Sequence, residues 1–180
     1  PLREEAADAV RELKEAGITK VVMMTGDSER TAAAIAKRVG VDEYYSEVLP
    51  EDKASFVEKE KELGHKVIMI GDGINDSLAL SSASVGIAIS DGAAIAREIA
   101  DVTISADNLH EIVTLKRLST ALMKRIHNNY RTIIGINGGL IALGVTGIIM
   151  PTTSALLHNM STLTISLRSM RNLLPKEEKA

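Results

Sequence analysis

The sequence predicts an α/β fold with a mostly parallel sheet, followed by a long helix and two transmembrane helices. Three observations predict it. Between residues 18 and 105, short apolar runs of strand length alternate with stretches of helical periodicity, the pattern of a parallel sheet covered on both faces. From Leu109 to Ile126, apolar residues recur along one face of a single long helix. From Thr132 to Leu167, 36 residues pass without one Asp, Glu, Lys or Arg.

The elements follow in order. Ala6, Val10 and Leu13 share a helix face within residues 3–16, and Gly17 supplies the stop. "ITKVVMM" (18–24) reads as a buried strand, and "TGDSERTAAAIAKRVG" as a turn feeding a helix that Gly40 closes. "YYSEV" (44–48) is a short extended piece. "PEDKASFVEKEKELG" begins a helix at Pro50, with acids in its first turn where the helix dipole favours them. "KVIMI" (66–70) is the next strand, followed by helix "INDSLALSSA", strand "SVGIAI", helix "GAAIAREIA" and strand "DVTIS". Ligands of such sheets bind at the carboxyl ends of the strands.

After residue 106 the composition changes. Residues 107–130 form the long amphipathic helix, marked by Leu109, Ile112, Leu115, Leu118, Leu122 and Ile126. A charge-free run of 36 residues would make about 54 Å of helix, too long for one crossing of a hydrocarbon core about 30 Å thick and suited to two. The predicted crossings are 131–150 and 153–172, with the turn at Pro151 and a tail at 173–180. Lys116, Arg117, Lys124, Arg125 and Arg131 precede the first crossing, and Arg168, Arg171 and Lys176 follow the second. By the positive-inside rule residues 1–130 and the tail are cytoplasmic, and the lipid bilayer is a partner.

Composition limits the alternatives. Residues 1–129 carry 16 basic and 22 acidic side chains, and residues 130–180 carry 5 and 2. An acidic front without a basic patch argues against nucleic acid. With no cysteine there is neither a disulfide nor a thiolate metal site in these residues. One Phe and no Trp leave an aliphatic core. Pro1 opens the sequence beside a helix-like stretch, with no initiator Met or signal peptide, which predicts a piece of a longer chain.

The chemistry is expected at three strand ends. "TGDS" (25–28) after the first strand offers the Thr25 hydroxyl, backbone amides and Asp27, although the same residues suit a simple turn and helix N-cap. Lys53 of "PEDK" supplies a cation, or is an ordinary solvated helix lysine. "GDGIND" (71–76) sets Asp72 and Asp76 around glycines at the mouth of a buried strand. Two carboxylates there repel unless a cation sits between them, and oxygen-only donors suit Mg²⁺. A hydroxyl, a lysine and carboxylates are the parts that phosphoryl transfer needs for positioning and charge stabilisation. No nucleophile accompanies them.

"TGD" (25–27), "PEDK" (50–53), "GDGIND" (71–76) and "VGIAIS" (85–90), in this order and followed by a helix into two spans, resemble the phosphorylation domain of P-type ATPases, which has the haloacid-dehalogenase-like Rossmannoid fold. The likeness covers almost the whole chain, and its ending resembles the heavy-metal-transporting branch. It implies that Thr25 binds the phosphoryl group, with Gly26 letting the backbone approach and Asp27 completing the motif. It implies that Lys53 neutralises an aspartyl phosphate, Asp72 ligates Mg²⁺, and Asn75 and Asp76 fix the phosphate and the metal's surroundings. Residues 1–106 would be the C-terminal half of the phosphorylation domain. The phosphorylated aspartate of "DKTGT" and the ATP-binding domain lie outside this sequence, so the remainder of the pump chain is an implied partner. In the family the nucleophile strand lies between the strands ending in "TGD" and "GDG", so the sheet is expected to have a gap there. Two positions depart from the family pattern: Leu78, where Pro is common, and Ser84, where Asp or Asn is common.

The resemblance implies a multi-pass protein of a prokaryotic plasma membrane and a transported heavy-metal cation. Polar groups inside a membrane are costly, so Asn137 in the first span, and His158, Asn159, Ser161 and Thr162 in the second, are the ion candidates. Imidazole with amide and hydroxyl oxygens suits a borderline divalent ion, Met160 leaves a softer metal open, and Ser and Thr also serve as plain packing residues. The resulting expectation is the C-terminal part of an ATP-driven metal pump, inactive alone. The alternatives are a soluble phosphatase of the same fold with an apolar tail, and a truncated, non-enzymatic pump acting as a binding module.

Overall fold

The computed structural model describes residues 5–71, 74–89, 94–104 and 108–173. The chain forms two units, the first ending at Lys116 and the second beginning at Arg117.

In the first unit, helix α1 (Ala6–Glu15) leads to strand β1 (Val22–Met24), helix α2 (Glu29–Val39) and strand β2 (Glu43–Tyr45). Helix α3 (Pro50–Glu62), strand β3 (Ile68–Gly71), a 3₁₀ turn (Ile74–Asp76) and helix α4 (Ser77–Ser82) follow. Strand β4 (Val85–Ile89), helix α5 (Ala94–Ile99) and strand β5 (Val102–Ile104) complete the alternation that the sequence predicts. β1 is shorter than the apolar run 18–24 because only its last residues find a partner. They pair in parallel with β2, in the register Val22 to Glu43 and Met24 to Tyr45.

The sheet comes in two pieces. β1 and β2 form one, and β3, β4 and β5 form a second in that spatial order, with every pairing parallel. No ladder joins β1 to β3 among the described residues, and this is the discontinuity expected where one strand is lacking.

Burial explains the layers. Leu13 of α1 packs with Ile87 of β4, Ile104 of β5, and Ile112 and Val113 of the following helix. Leu80 of α4 and Ala88 of β4 make a second cluster, lined by Met69 and Ala100. α4 lies so close to β4 that a Cβ on Gly86 would meet the Leu80 carbonyl oxygen at 2.7 Å, so this strand position accepts only glycine without a shift. Leu78 is exposed on α4, so the absence of proline there imposes no packing change. Ser84 accepts a hydrogen bond from the Val67 amide at 3.2 Å.

Polar ties hold β1 and β2 to their helices. Asp42 accepts hydrogen bonds from Lys14 Nζ at 2.7 Å and from the Val21 amide at 2.8 Å. Glu29 accepts from Ser46 Oγ at 2.6 Å and from the Tyr44 hydroxyl at 2.8 Å. The Lys14 hydrogen bond, then the Val21 amide, holds the Asp42 carboxyl below its ordinary value. Its contribution to stability is therefore complete above the unfolded carboxylate range and is lost as pH falls through the lowered folded value. Stability measured from neutral pH to below about pH 4 should fall more steeply in the wild type than in Asp42→Asn. Equal slopes would show that the contact contributes nothing.

In the second unit helix α6 (His110–Val145) runs without a break from the predicted stalk into the predicted first crossing. The helix stops five residues before the predicted end, where Gly147 turns back with φ of 74° and Ile148 donates to the Leu143 carbonyl. Pro151, expected as the turn, instead occupies the first position of helix α7 (Pro151–Ser169), where its missing N–H is not needed. Among the described residues no helix is long and apolar enough to cross a membrane. The apolar run outlasts α6, whose first half is charged, and α7 is diluted by Ser, Thr, His158 and Asn159. α6 and α7 run antiparallel, tied by Asn129 Nδ2 to Ser169 Oγ at 2.6 Å.

Candidate functional site

The carboxyl end of β1 runs directly into Thr25. Its hydroxyl donates to Asp27 Oδ2 at 2.9 Å and accepts from the Asp27 amide at 3.1 Å, so the two side chains close a small polar loop. Ser28 stands at the N-cap of α2 without a side-chain capping bond. The loop is tied to the segment leading into α3: the Val48 amide donates to the Thr25 carbonyl at 3.0 Å, and the Glu47 amide to the Asp27 carbonyl at 2.9 Å. Two residues on, Pro50 opens α3, and Asp52 accepts from the Leu49 amide at 3.1 Å to fix that end.

Lys53, in the first turn of α3, reaches across to the 3₁₀ turn after β3. Its Nζ lies 2.7 Å from Asp76 Oδ1, and the side chains are only 15% and 11% exposed. Asp76 is the one buried charged residue among those described. Burying a single charge is costly, so each member of this pair requires the other. The structure thus joins two residues to which the sequence assigns separate roles. A path of contacts runs from Thr25 through residues 47–48 and the start of α3 to Lys53 and Asp76.

Gly71 is the positioning residue that the sequence reading left without a task. A Cβ there would lie 2.6 Å from Asp76 Cβ and 2.9 Å from its Cγ and Oδ2, so the carboxylate rests against bare backbone. The signal was present as a glycine ending a strand five residues before an aspartate, but its reason is a contact that only folding creates. Gly26 differs, since its added Cβ would meet only the Val48 carbonyl oxygen at 3.9 Å, an ordinary contact. Asn75 is exposed on the 3₁₀ turn and makes no hydrogen bond to the described residues. Asp72 lies outside the described residues.

The donor chemistry fits a hard cation. Asp76 Oδ1 is held by Lys53, while Oδ2 faces Gly71 with no hydrogen-bond donor on it among the described residues. Mg²⁺ takes one or two carboxylates and keeps several waters. No cluster of three metal-ligating His, Asp or Glu side chains occurs among the described residues.

In the second unit Asn137 of α6 and His158 of α7 meet, with Oδ1 and Nδ1 2.9 Å apart. Ser161 and Thr162 both donate to the His158 carbonyl, at 2.8 and 3.0 Å, so their hydroxyl protons are spent on their own helix. Asn159 is exposed, and its side chain makes no hydrogen bond to the described residues. Of the five ion candidates, the structure brings only Asn137 and His158 together across the helices.

Residues 1–84 match the haloacid dehalogenase-like hydrolase family. Over 171 residues, 94% of its length, the chain is 37% identical to a zinc-exporting P-type ATPase of Mycobacterium marinum and covers 23% of that protein. Over the same share it is 37% identical to a manganese-exporting P-type ATPase of Mycobacterium bovis, covering 24%. The crystal structure of a zinc-transporting PIB-type ATPase in its E2.Pi state superposes on 97% of the chain with a TM-score of 0.89 and 34% identity, the chain covering 28% of it. By sequence and by fold the chain is similar to a part of the heavy-metal P-type ATPases, and it spans about a quarter of the length of the curated relatives it matches.

Proposed function

We propose that the chain is the part of an ATP-driven heavy-metal transporter that carries half of the phosphoryl-transfer site and the membrane end of the pump. The observation that carries this reading is the buried Lys53–Asp76 pair at the mouth of β3, linked through α3 to the Thr25–Asp27 loop at the mouth of β1. In phosphoryl transfer the protein mainly positions groups and stabilises charge. Thr25 would offer its hydroxyl to a phosphoryl oxygen. Gly26, where an added Cβ would meet only the Val48 carbonyl oxygen at 3.9 Å, would leave the backbone open to that group. Lys53, already beside a carboxylate, would share its charge with the phosphoryl oxygens, and Asn75 would donate an amide hydrogen to them. Asp72 with Asp76 Oδ2 would hold Mg²⁺, which would neutralise phosphoryl charge when bound.

The aspartate that accepts the phosphoryl group, and the domain that binds ATP, would come from sequence outside this chain. The 180-residue chain by itself is therefore expected to form no acyl phosphate. Incubation with γ-labelled ATP and Mg²⁺, followed by acid quenching, should leave the protein unlabelled. Acid-stable radiolabel on the purified chain would overturn the reading.

The second unit would lie in the bilayer, with both charged flanks on the cytoplasmic side. Two features support this: the 36-residue stretch without charge, and the outward-facing apolar side chains of α7, which has no buried residue. Ile141, Val145, Leu156 and Leu163 are all at least 60% exposed, as suits contact with lipid. On detergent phase separation the chain is expected in the detergent phase; recovery in the aqueous phase would favour the soluble phosphatase. Asn137 and His158 would contribute to the passage of a divalent cation, a role supported by their mutual hydrogen bond between the helices. The relatives are named for zinc and manganese export, and an imidazole–amide pair suits either ion.

A further inference from the structure

At the end of the α6–α7 hairpin away from the 146–150 turn lies a pocket of about 250 Å³. Lys124, Arg125, Asn128, Asn129, Arg168 and Arg171 line it, and among the described residues no carboxylate does. We infer that this pocket, if the hairpin lies in a bilayer as proposed above, binds the phosphate headgroup of an anionic phospholipid.

The basic side chains do not have the same task. Arg125 donates to the carbonyls of Ser169 at 2.9 Å, Arg171 and Asn172 at 3.3 Å, closing the C-terminal end of α7. With the Asn129–Ser169 bond it holds that helix end against α6. This docking gathers Arg168 and Arg171 with Lys124 around one cavity. None of these three makes an ion pair or a side-chain hydrogen bond to the described residues. Three gathered cations with no counter-charge among the described residues repel one another, and an anion with several acceptor oxygens relieves that repulsion while the Asn128 amide adds a donor.

The positive-inside bias explains basic flanks, but Arg131 satisfies it equally and does not line the pocket. Position selects a lipid over a free anion. Arg168 is the first charge after the charge-free run, so the pocket lies where headgroups would lie. Ile126, Tyr130 and Met170 near the same end are 48%, 64% and 81% exposed, an apolar surface for acyl chains. Basic pockets between membrane helices on the cytoplasmic side are suited to such headgroups.

The test is native mass spectrometry of the 180-residue chain in detergent micelles, titrated with phosphatidylglycerol and, separately, with phosphatidylcholine. With three basic groups engaged, phosphatidylglycerol should half-saturate the chain at about a hundredfold lower concentration. Lys124→Gln with Arg168→Gln and Arg171→Gln should erase the preference. Lys59→Gln with Lys66→Gln and Arg131→Gln, an equal loss of charge elsewhere, should keep it. The charge-preserving set Lys124→Arg, Arg168→Lys and Arg171→Lys should keep it as well, which separates binding from misfolding. Equal affinity for the two lipids, an unchanged preference in the first triple variant, loss in the second, or displacement by millimolar inorganic phosphate would each overturn the proposal. Flotation with phosphatidylcholine vesicles tests the membrane reading itself. A chain that floats but shows no lipid preference sinks this inference alone, and one that does not float sinks both.

Discussion

Replacing Lys53 with methionine should lower the stability of the first unit by about 3–5 kcal/mol, the cost of stranding a charge inside a protein. Methionine retains most of the side-chain volume, so the loss isolates the ammonium. Asp76 would stay buried against Gly71 with its partner gone. Adding Asp76→Asn to Lys53→Met should recover most of the loss, because the stranded charge goes with it. The exposed Arg11–Asp8 pair, with side chains 64% and 55% accessible, is the contrast, and Arg11→Ala should cost less than about 1 kcal/mol. Hydrogen exchange of the β4 amides at the centre of the three-stranded sheet measures all three variants. A Lys53→Met value near that of Arg11→Ala would mean that the pair does not hold the site together.

Gly71→Ala should cost about 1–3 kcal/mol and should act through the same pair. Its new methyl carbon would stand 2.6 Å from Asp76 Cβ, a separation that forces the aspartate away from β3. The 2.7 Å contact with Lys53 cannot survive such a shift unaltered. The two substitutions are therefore expected to be non-additive, with Gly71→Ala and Lys53→Met together costing less than their sum. Gly26→Ala, with ordinary contact distances, should change stability by no more than about 0.5 kcal/mol. Simple additivity at Gly71 would show that its glycine serves the strand and not the aspartate.

Much of the first unit was legible in the sequence because each element carries a local cause. Pro50 and the acids after it mark the start of α3, and apolar runs of strand length mark β3 and β4. The break between the two sheets was legible too, since a missing strand leaves its neighbours nothing to pair with. Legibility failed where the deciding contact is distant in sequence. Lys53 and Asp76 are 23 residues apart, and nothing local to either says that the other neutralises it. Asn137 and His158 are likewise joined only by the meeting of two helices. In the second unit the helix ends at Val145 and Pro151 lie beside the Gly147 turn, since an apolar composition permits a helix without stating where it stops.

By itself the sequence determined the alternation of strands and helices, the polar residues at the strand ends and the uncharged stretch after Arg131, since all are properties of neighbouring residues and their periodicity. The tertiary structure alone decided that Asp76 is buried, that Lys53 is its counter-charge and that Gly71 must lack a side chain. It also decided that α6 runs unbroken to Val145, and that Lys124, Arg168 and Arg171 gather around one pocket. The reason is physical. Burial and electrostatic pairing depend on which surfaces meet across long separations in the chain, and short-range sequence pattern carries no measure of that.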